Sequence, residues 1–412
     1  MKEITGLAAP ARHPNPRGNT MSKCRDLIII MFGVAALLQF PYVEAADNGT
    51  VIESLDHNIM VTTVADNLEL PWSMAMLANG DILVTEQPGR LRLVSEGQLQ
   101  SQPITGTPEI TGRLHSGLMD VALHPEFETN HLIYLTHSKI TDEGSTVAVT
   151  RGRLEGTALV DSEEIFRALA WEPRELNYGS RAAFDGEGYL YITIGDRGPD
   201  GEPKAQDLSS HHGKTVRLHD DGSIPTDNPF VNTPGALPEI WTYGHRNQQG
   251  LMFNEATGEM WASEHGPRGG DEVNILKGGA NYGWPLVSFG RAYTDELITN
   301  NPMMEGIEPP RWFWVPSIGI SDIIHYNGDA FPEWKNKLFV TGMSGMMLQN
   351  VIIVGRASRA RENILTGLRY QFRDIDVDAQ GNIYALVRQD AAMSENSGKL
   401  LKLEPADLGD SD

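Results

Sequence analysis

Six stretches of the chain repeat one pattern: an apolar strand, a turn rich in Gly, Asp or Asn, then a second apolar or aromatic strand. They read SMAMLANGDILVTE (73–86), LMDVALHPEFETNHLIYLTH (118–137), RAAFDGEGYLYITIGD (181–196), GLMFNEATGEMWASEHG (250–266), ISDIIHYNGDAFPEWKNKLFVTGM (320–343) and RDIDVDAQGNIYALV (373–387). Apolar and polar positions that alternate on either side of an Asx-Gly turn predict a hairpin. A lone hairpin leaves a hydrophobic face and two edges uncovered, so none of the six is stable by itself. Setting six around an axis covers both, and the pattern predicts an all-β fold, a six-bladed β-propeller of four-stranded antiparallel blades. The irregular spacing, roughly 45 to 70 residues, is longer than a WD40 blade and lacks its Trp-Asp ending. A β-sandwich would show closer and more even strand spacing. The long connections 196–236 and 284–319 are expected on one face, where they would build a site.

Composition agrees with many tight turns: 42 Gly and 24 Pro accompany 40% hydrophobic residues, and each hairpin needs residues that accept positive or fixed φ. Charge narrows the partners. The whole chain carries −22, and its first 45 residues, with Lys2, Arg12, Arg17, Lys23 and Arg25 against Glu3, Asp26 and Glu44, carry +2. The remainder is therefore strongly acidic and repels phosphate backbones and anionic headgroups, which argues against nucleic acid and peripheral membrane attachment. An anionic ligand would need arginines gathered at its own site.

From Met21 the order is basic (MSKCRD), apolar (Leu27 to Phe40) and small (Val43-Glu44-Ala45), which is the order of a secretory signal. Residues 1–45 are expected to be a signal peptide, with Met21 as an alternative start, and residues 46–412 a single propeller domain. The apolar run is shorter than the roughly 20 residues of a membrane span, so no integral span is expected in the mature chain; an anchor that is kept is the alternative. The expected location is periplasmic or secreted. Cys24, the one cysteine, precedes the apolar run, so the mature chain has no disulfide and no thiol chemistry.

Three strings carry more specific information: GKTVRLHDDGSIPTDNPF (213–230), EIWTYGHRNQQGL (239–251) and SEHGPRGGDEVNILKGGANYGWP (263–285). In the last, Gly266-Pro267 forces a turn whose carbonyls can converge on a hard cation, because Pro267 has no amide hydrogen. The same turn could be an ordinary blade connection. In order and spacing the three strings resemble the glucose/sorbosone dehydrogenase family, and most closely its soluble aldose sugar dehydrogenases, with weaker similarity from about Leu70 to Pro405.

The resemblance implies a pyrroloquinoline quinone (PQQ) cofactor with calcium, a small-molecule sugar substrate and an electron acceptor of unknown identity. It places the Gly266 and Pro267 carbonyls on a calcium against the quinone, and Glu272 and Tyr282 on a second, structural calcium. Arg246 and Asn247 match the pair aimed at PQQ: an arginine fork suits a carboxylate and an asparagine amide can donate to a quinone oxygen. Arg373 matches an arginine near the cofactor's far carboxylates, and Tyr293 an aromatic neighbour of its rings. A solvated Glu272, a buried blade Tyr282 and an Arg246 paired with acids are the bland alternatives.

The sequence departs from the family at several of these places. The family's catalytic base is a histidine, and the matching position is Asn177, whose amide does not accept a proton near neutral pH. His115 stands for a glutamine, Ser344 for a lysine and Gln371 for a second arginine, so weaker PQQ affinity is expected. His115 is a candidate to restore an imidazole, the alternative being an ordinary polar histidine; His245 and His265 are lesser candidates. Two functions follow: a periplasmic PQQ- and calcium-dependent sugar oxidoreductase, or a catalytically impaired propeller that binds a carbohydrate or protein. No Gly-x-Ser-x-Gly elbow or His-Glu-x-x-His helix supports a hydrolase.

Overall fold

The computed structural model describes residues 49–110, 115–354, 357–389 and 396–406. The expected signal peptide lies outside the described residues, and among these no helix is long and apolar enough to cross a membrane. In chain order, β1 (Thr50–Glu53) and β2 (Asn58–Leu68) precede a sheet of β3 (Pro71–Met76), β4 (Ile82–Glu86), β5 (Arg90–Ser95) and β6 (Gln98–Leu99). Next come β7 (Leu118–Leu123), β8 (Leu132–Thr141), β9 (Gly144–Glu155) and β10 (Ala158–Arg167), then β11 (Gly179–Phe184), β12 (Leu190–Ile194), β13 (Lys214–Leu218) and β14 (Ile240–Tyr243). The fourth sheet holds β15 (Gln248–Asn254), β16 (Glu259–Glu264), β17 (Asp271–Leu276) and β18 (Trp312–Trp314). The fifth holds β19 (Ile320–Tyr326), β20 (Lys337–Gly342), β21 (Met347–Val354) and β22 (Ala357–Ile364). The sixth joins β23 (Gln371–Val377), β24 (Ile383–Arg388) and β25 (Gly398–Pro405) to β2, with β1 added outside. The first and last of the described strands thus build one blade, which closes the ring.

The first two strands of every blade are the six repeats of the sequence, and side chains near the turns show why these segments are hairpins. Asp185 Oδ1 accepts from the Glu187 and Tyr189 amides (2.9 Å each), and Asp378 Oδ1 from those of Gln380 and Asn382 (3.0 and 2.8 Å), closing Asx turns that need no outside partner. The connections 196–236 and 284–319 differ from expectation in containing β13 and β18. β18 has three residues, too few to show a period.

β3, β7, β11, β15, β19 and β23 touch one another in succession around the axis. Each has a register irregularity near its start: Pro71/Ser73, Leu118/Val121, Gly179/Ala182, Gln248/Gly250, Ile320/Asp322 and Phe372/Asp374. Such bulges bend a strand and re-aim its side chains. They also free an amide, which a hydroxyl of the second strand takes: Ser73 N donates to Thr85 Oγ1, Asp120 N to Thr136 Oγ1 and Arg181 N to Thr193 Oγ1, at 2.9–3.0 Å.

Three of the inner strands carry an aspartate that stitches blades together. Asp120 accepts from the Ala182 amide at 2.7 Å, Asp322 from Ile375 at 3.1 Å and Asp374 from Met74 at 2.8 Å. The same three carboxylates surround Arg181, at 3.3, 3.6 and 2.6 Å. Burial works against the Arg181 charge, but Asp322, Asp374 and Asp120 outweigh it and raise its pKa. The axis is therefore plugged by charge, and the mouth above it rests on a fixed floor.

Candidate active site

Arg246 and Asn247 connect β14 to β15, and their main chain is fixed from below. The fully buried His245 ring shares hydrogen bonds with Thr242 Oγ1 (2.9 Å) and Glu264 Oε2 (2.8 Å) and stacks on Tyr282, while Glu264 Oε1 accepts the Arg246 amide at 2.8 Å. Both His245 ring nitrogens are thus engaged within the protein. The Arg246 guanidinium donates to the His265 carbonyl at 3.2 Å and the Gly266 carbonyl at 3.0 Å, and its other arm reaches Tyr293 Oη at 3.4 Å. Asn247 Oδ1 accepts from the Gly179 amide and Gln249 Nε2, both at 3.0 Å, which leaves its NH2 as the group to meet a ligand.

The Gly266-Pro267 turn is held from beneath by Asp271, whose Oδ1 accepts the Gly266 amide (3.0 Å) and whose Oδ2 accepts from Ser317 Oγ, Ile318 N and Ile320 N at 2.8–3.1 Å. A Cβ at Gly266 would stand 2.2 Å from the Gly269 carbonyl oxygen, so only glycine fits. Beside it, Glu272 lies directly opposite Glu264 in the β16–β17 register. Burial, then the Glu264 charge, pushes the Glu272 pKa well above the usual carboxylate value. A cavity of about 10 Å³, roughly the space of a single small ion, lies among Glu264, Glu272, Tyr282 and Gly266. Among the described residues no group of three or more His, Cys, Asp or Glu is placed to hold a metal ion, so a cation here would draw on main-chain oxygens as well.

Two larger cavities open at the mouth, of about 310 and 350 Å³, and share a wall of Leu176, Asn177, Arg246 and Tyr293. The first is lined by His115, Asn247, Gln249, Trp72 and three arginines, Arg246, Arg373 and Arg388, with no aspartate or glutamate among the described residues. Arg373 lies over the Trp72 ring at 3.8 Å and donates to the Ser321 carbonyl (3.0 Å) and Gln249 Oε1 (3.1 Å). Burial, then the like charges of Arg181 and Arg388, hold its pKa well below the ordinary value. Arg388 is pushed down to about 10 by burial. Such a cavity suits an anion, because each buried guanidinium is stabilised by negative charge brought to it.

The second cavity has the opposite character, lined by Asp196, Glu202, Trp284 and Pro267. Asp196 is 1% exposed. Its Oδ1 accepts from Asn177 Nδ2 and the Gly198 amide, and its Oδ2 from Trp284 Nε1, all at 2.8 Å. Burial nevertheless raises its pKa, against the pull of Arg246 and these donors. Asn177 is held in the left-handed region (φ 43°), and its carbonyl oxygen would lie 2.0 Å from a Cβ at Gly195, so the close approach to Asp196 depends on that glycine.

The structure gathers Asn177, His115, Arg246, Asn247, Tyr293 and Arg373 around the first cavity, brings Pro267 to the second and sets Glu272 and Tyr282 together at the small one. His115 is exposed at the rim, and its pKa is lowered by burial of its inner side and by Arg388. Ser344 and Gln371 line none of these cavities; their neighbours Met343 and Phe372 do so in one case only, Met343 in the first. The residues that sequence reasoning missed are Asp196, Glu264, Trp72 and Arg388. Asp196 had a faint signal, the Gly-Asp that ends the third repeat.

Fold and site together define a six-bladed propeller whose mouth pairs a cationic pocket with a carboxylate-bearing one. The chain belongs to the glucose/sorbosone dehydrogenase family, whose model matches residues 68–402. It is 37% identical over 353 residues to the aldose sugar dehydrogenase YliI of Escherichia coli K12, covering 84% of this chain and 93% of that protein. The crystal structure of the soluble aldose sugar dehydrogenase of Escherichia coli in the apo-form matches with a TM-score of 0.80 and 36% identity, over 84% of this chain and 100% of that one. The PQQ-bound aldose sugar dehydrogenase of Streptomyces coelicolor matches with a TM-score of 0.68 and 25% identity, over 88% of this chain and 99% of that one.

Proposed function

We propose that the protein is an exported oxidoreductase that oxidises an aldose sugar or related polyol with PQQ and calcium and passes the electrons to a separate acceptor. The observation that carries this reading is the pair of cavities across one wall, three arginines on one side, with no carboxylate among the described residues, and Asp196 on the other. The basic, apolar and small-residue order of residues 1–45 supports a secretory signal and a periplasmic or secreted location.

A tri-anionic quinone fits the residues present. Arg246 and Arg373 would take its carboxylates, Asn247 would donate to a quinone oxygen and Tyr293 would lie against its rings. Gly266 and Pro267 would offer carbonyl oxygens to one calcium, and Glu272, Tyr282 and Glu264 would hold a second. The changes at Ser344 and Gln371 each remove a cationic partner, costing about 1.5–3 kcal/mol if those bonds are charge-assisted. When bound, the quinone would supply a hydride acceptor for the sugar carbon, with calcium polarising its oxygen.

The hydroxyl proton must also leave. Asn177 is no base, and its Nδ2 is engaged by Asp196. The role falls to Asp196, a buried carboxylate with a raised pKa that lines the second cavity, which is how a carboxylate serves as a base nearer neutral pH. Asn177 then acts by fixing that carboxylate. His115, at the rim of the first cavity, is the alternative acceptor.

Titrating purified apo-protein with calcium and PQQ tests the reading: stoichiometric binding and sugar-dependent bleaching of the quinone absorbance are expected. Failure to bind PQQ would remove it from the account. Asn177 favours one other reading, a propeller that keeps the scaffold but has lost turnover, and binding without reduction by any aldose would establish that instead.

A further inference from the structure

Arg388 ends β24 directly opposite Gln371 of β23 in the antiparallel register, so the two side chains leave the same face of the sheet. Gln371 is the position where the family resemblance places an arginine; Arg388 is one residue across the sheet from it. Arg388 is 3% exposed and lines the first cavity. Its Nη2 donates to the Pro71 carbonyl at 2.9 Å and to Gln87 Oε1 at 3.2 Å. Its Nε is buried and meets no hydrogen-bond partner among the described residues.

A buried guanidinium with two neutral acceptors and an unmet donor keeps most of its desolvation cost, which an ion pair would offset. Among the described residues no carboxylate lines the cavity to provide one. We propose that Arg388 binds a carboxylate of PQQ, the positive charge at this corner of the cavity having moved from β23 to the neighbouring β24. The inference rests on the quinone reading above and adds to it a cationic contact that offsets the loss at Gln371. Its charge already reaches the cavity rim, where it helps to lower the His115 pKa.

The test is equilibrium binding of PQQ to calcium-loaded apo-protein, read by quenching of tryptophan fluorescence, with the trimethyl ester of PQQ as the uncharged comparison. Arg388→Gln should weaken PQQ binding about ten- to a hundredfold, the range of a lost charge-assisted bond, and should change ester binding much less. Arg388→Lys should recover part of the loss, and the exchange Arg388→Gln with Gln371→Arg should recover more. Equal losses for acid and ester, or an exchange without rescue, would mean that Arg388 only supports the fold, and the inference falls. Wild-type protein that binds PQQ while Arg388→Gln binds it equally well sinks this inference alone; wild-type protein that binds none sinks the quinone reading with it. Should Arg388→Gln fail to fold, a structure of the wild-type protein with PQQ decides. A carboxylate oxygen within about 3.2 Å of an Arg388 nitrogen supports the assignment, and carboxylates engaged only by other residues overturn it.

Discussion

Asp196 takes hydrogen bonds from Asn177, Gly198 and Trp284, so its carboxylate is oriented before any substrate arrives. The charged groups around it are Arg246, which lowers its pKa, and Glu202, whose own pKa Asp196 helps to raise, with Arg197 next in the chain. A base must be ionised to act, so kcat/KM should rise with pH through a pKa above that of an ordinary carboxylate. Asp196→Asn should lower kcat about 10²- to 10⁴-fold, the usual weight of a positioned base, while PQQ affinity changes little. Asn177→His should raise activity and move the acid limb of the profile towards about 6.5, where an imidazole titrates. Loss of activity in His115→Gln with none in Asp196→Asn would transfer the role to the rim histidine. The sequence alone could not show this arrangement, because nothing in the order of residues 177 and 196 says that a bulged strand start and a loop bring them within 2.8 Å.

The strands differ in how openly the sequence displays them. β4 (Ile-Leu-Val-Thr-Glu) and β24 (Ile-Tyr-Ala-Leu-Val-Arg) are apolar runs that follow an Asx turn, and the repeat finds them. β13 reads Lys-Thr-Val-Arg-Leu, so three of its five buried residues are polar and no apolar run marks it, and β6 and β18, with two and three residues, are too short to display a pattern. Pairing across blades is less legible still: Asp120, Asp322 and Asp374 sit in different repeats, and only the ring brings them onto Arg181. Arg181→Met should remove their common countercharge and cost about 3–5 kcal/mol, as breaking a buried ionic network does. The sign with pH is fixed by the carboxylates. Burial already raises the pKa of Asp120 and Asp322, and without Arg181 these rise further, so the folded state holds protons that the unfolded chain releases. The deficit should be smallest at acid pH and grow as pH rises past the ordinary carboxylate range. Urea melts of both proteins at several pH values measure it; a deficit independent of pH would show that packing around Arg181, not charge, is what was lost.

At the scale of the whole molecule, an acidic shell surrounds a cationic pocket. The chain carries −22, while Arg246, Arg373 and Arg388 gather at the first cavity. The two fields act at different ranges. Surface charge is felt to about a Debye length, roughly 8 Å at physiological ionic strength, and governs encounter; the buried arginines act at contact and govern what stays. An electron acceptor need only approach the mouth, so its rate should follow the shell. Once the protein is loaded and reduced by sugar, the second-order rate with a small cationic acceptor such as hexaammineruthenium should fall as salt is added. With the anionic ferricyanide it should rise. The two slopes should converge at high salt, where the shell is screened and only intrinsic reactivity remains. Opposite slopes would mean that the arginines are sensed through the open mouth, and that the acceptor in the cell is selected by the site rather than by the acidic exterior.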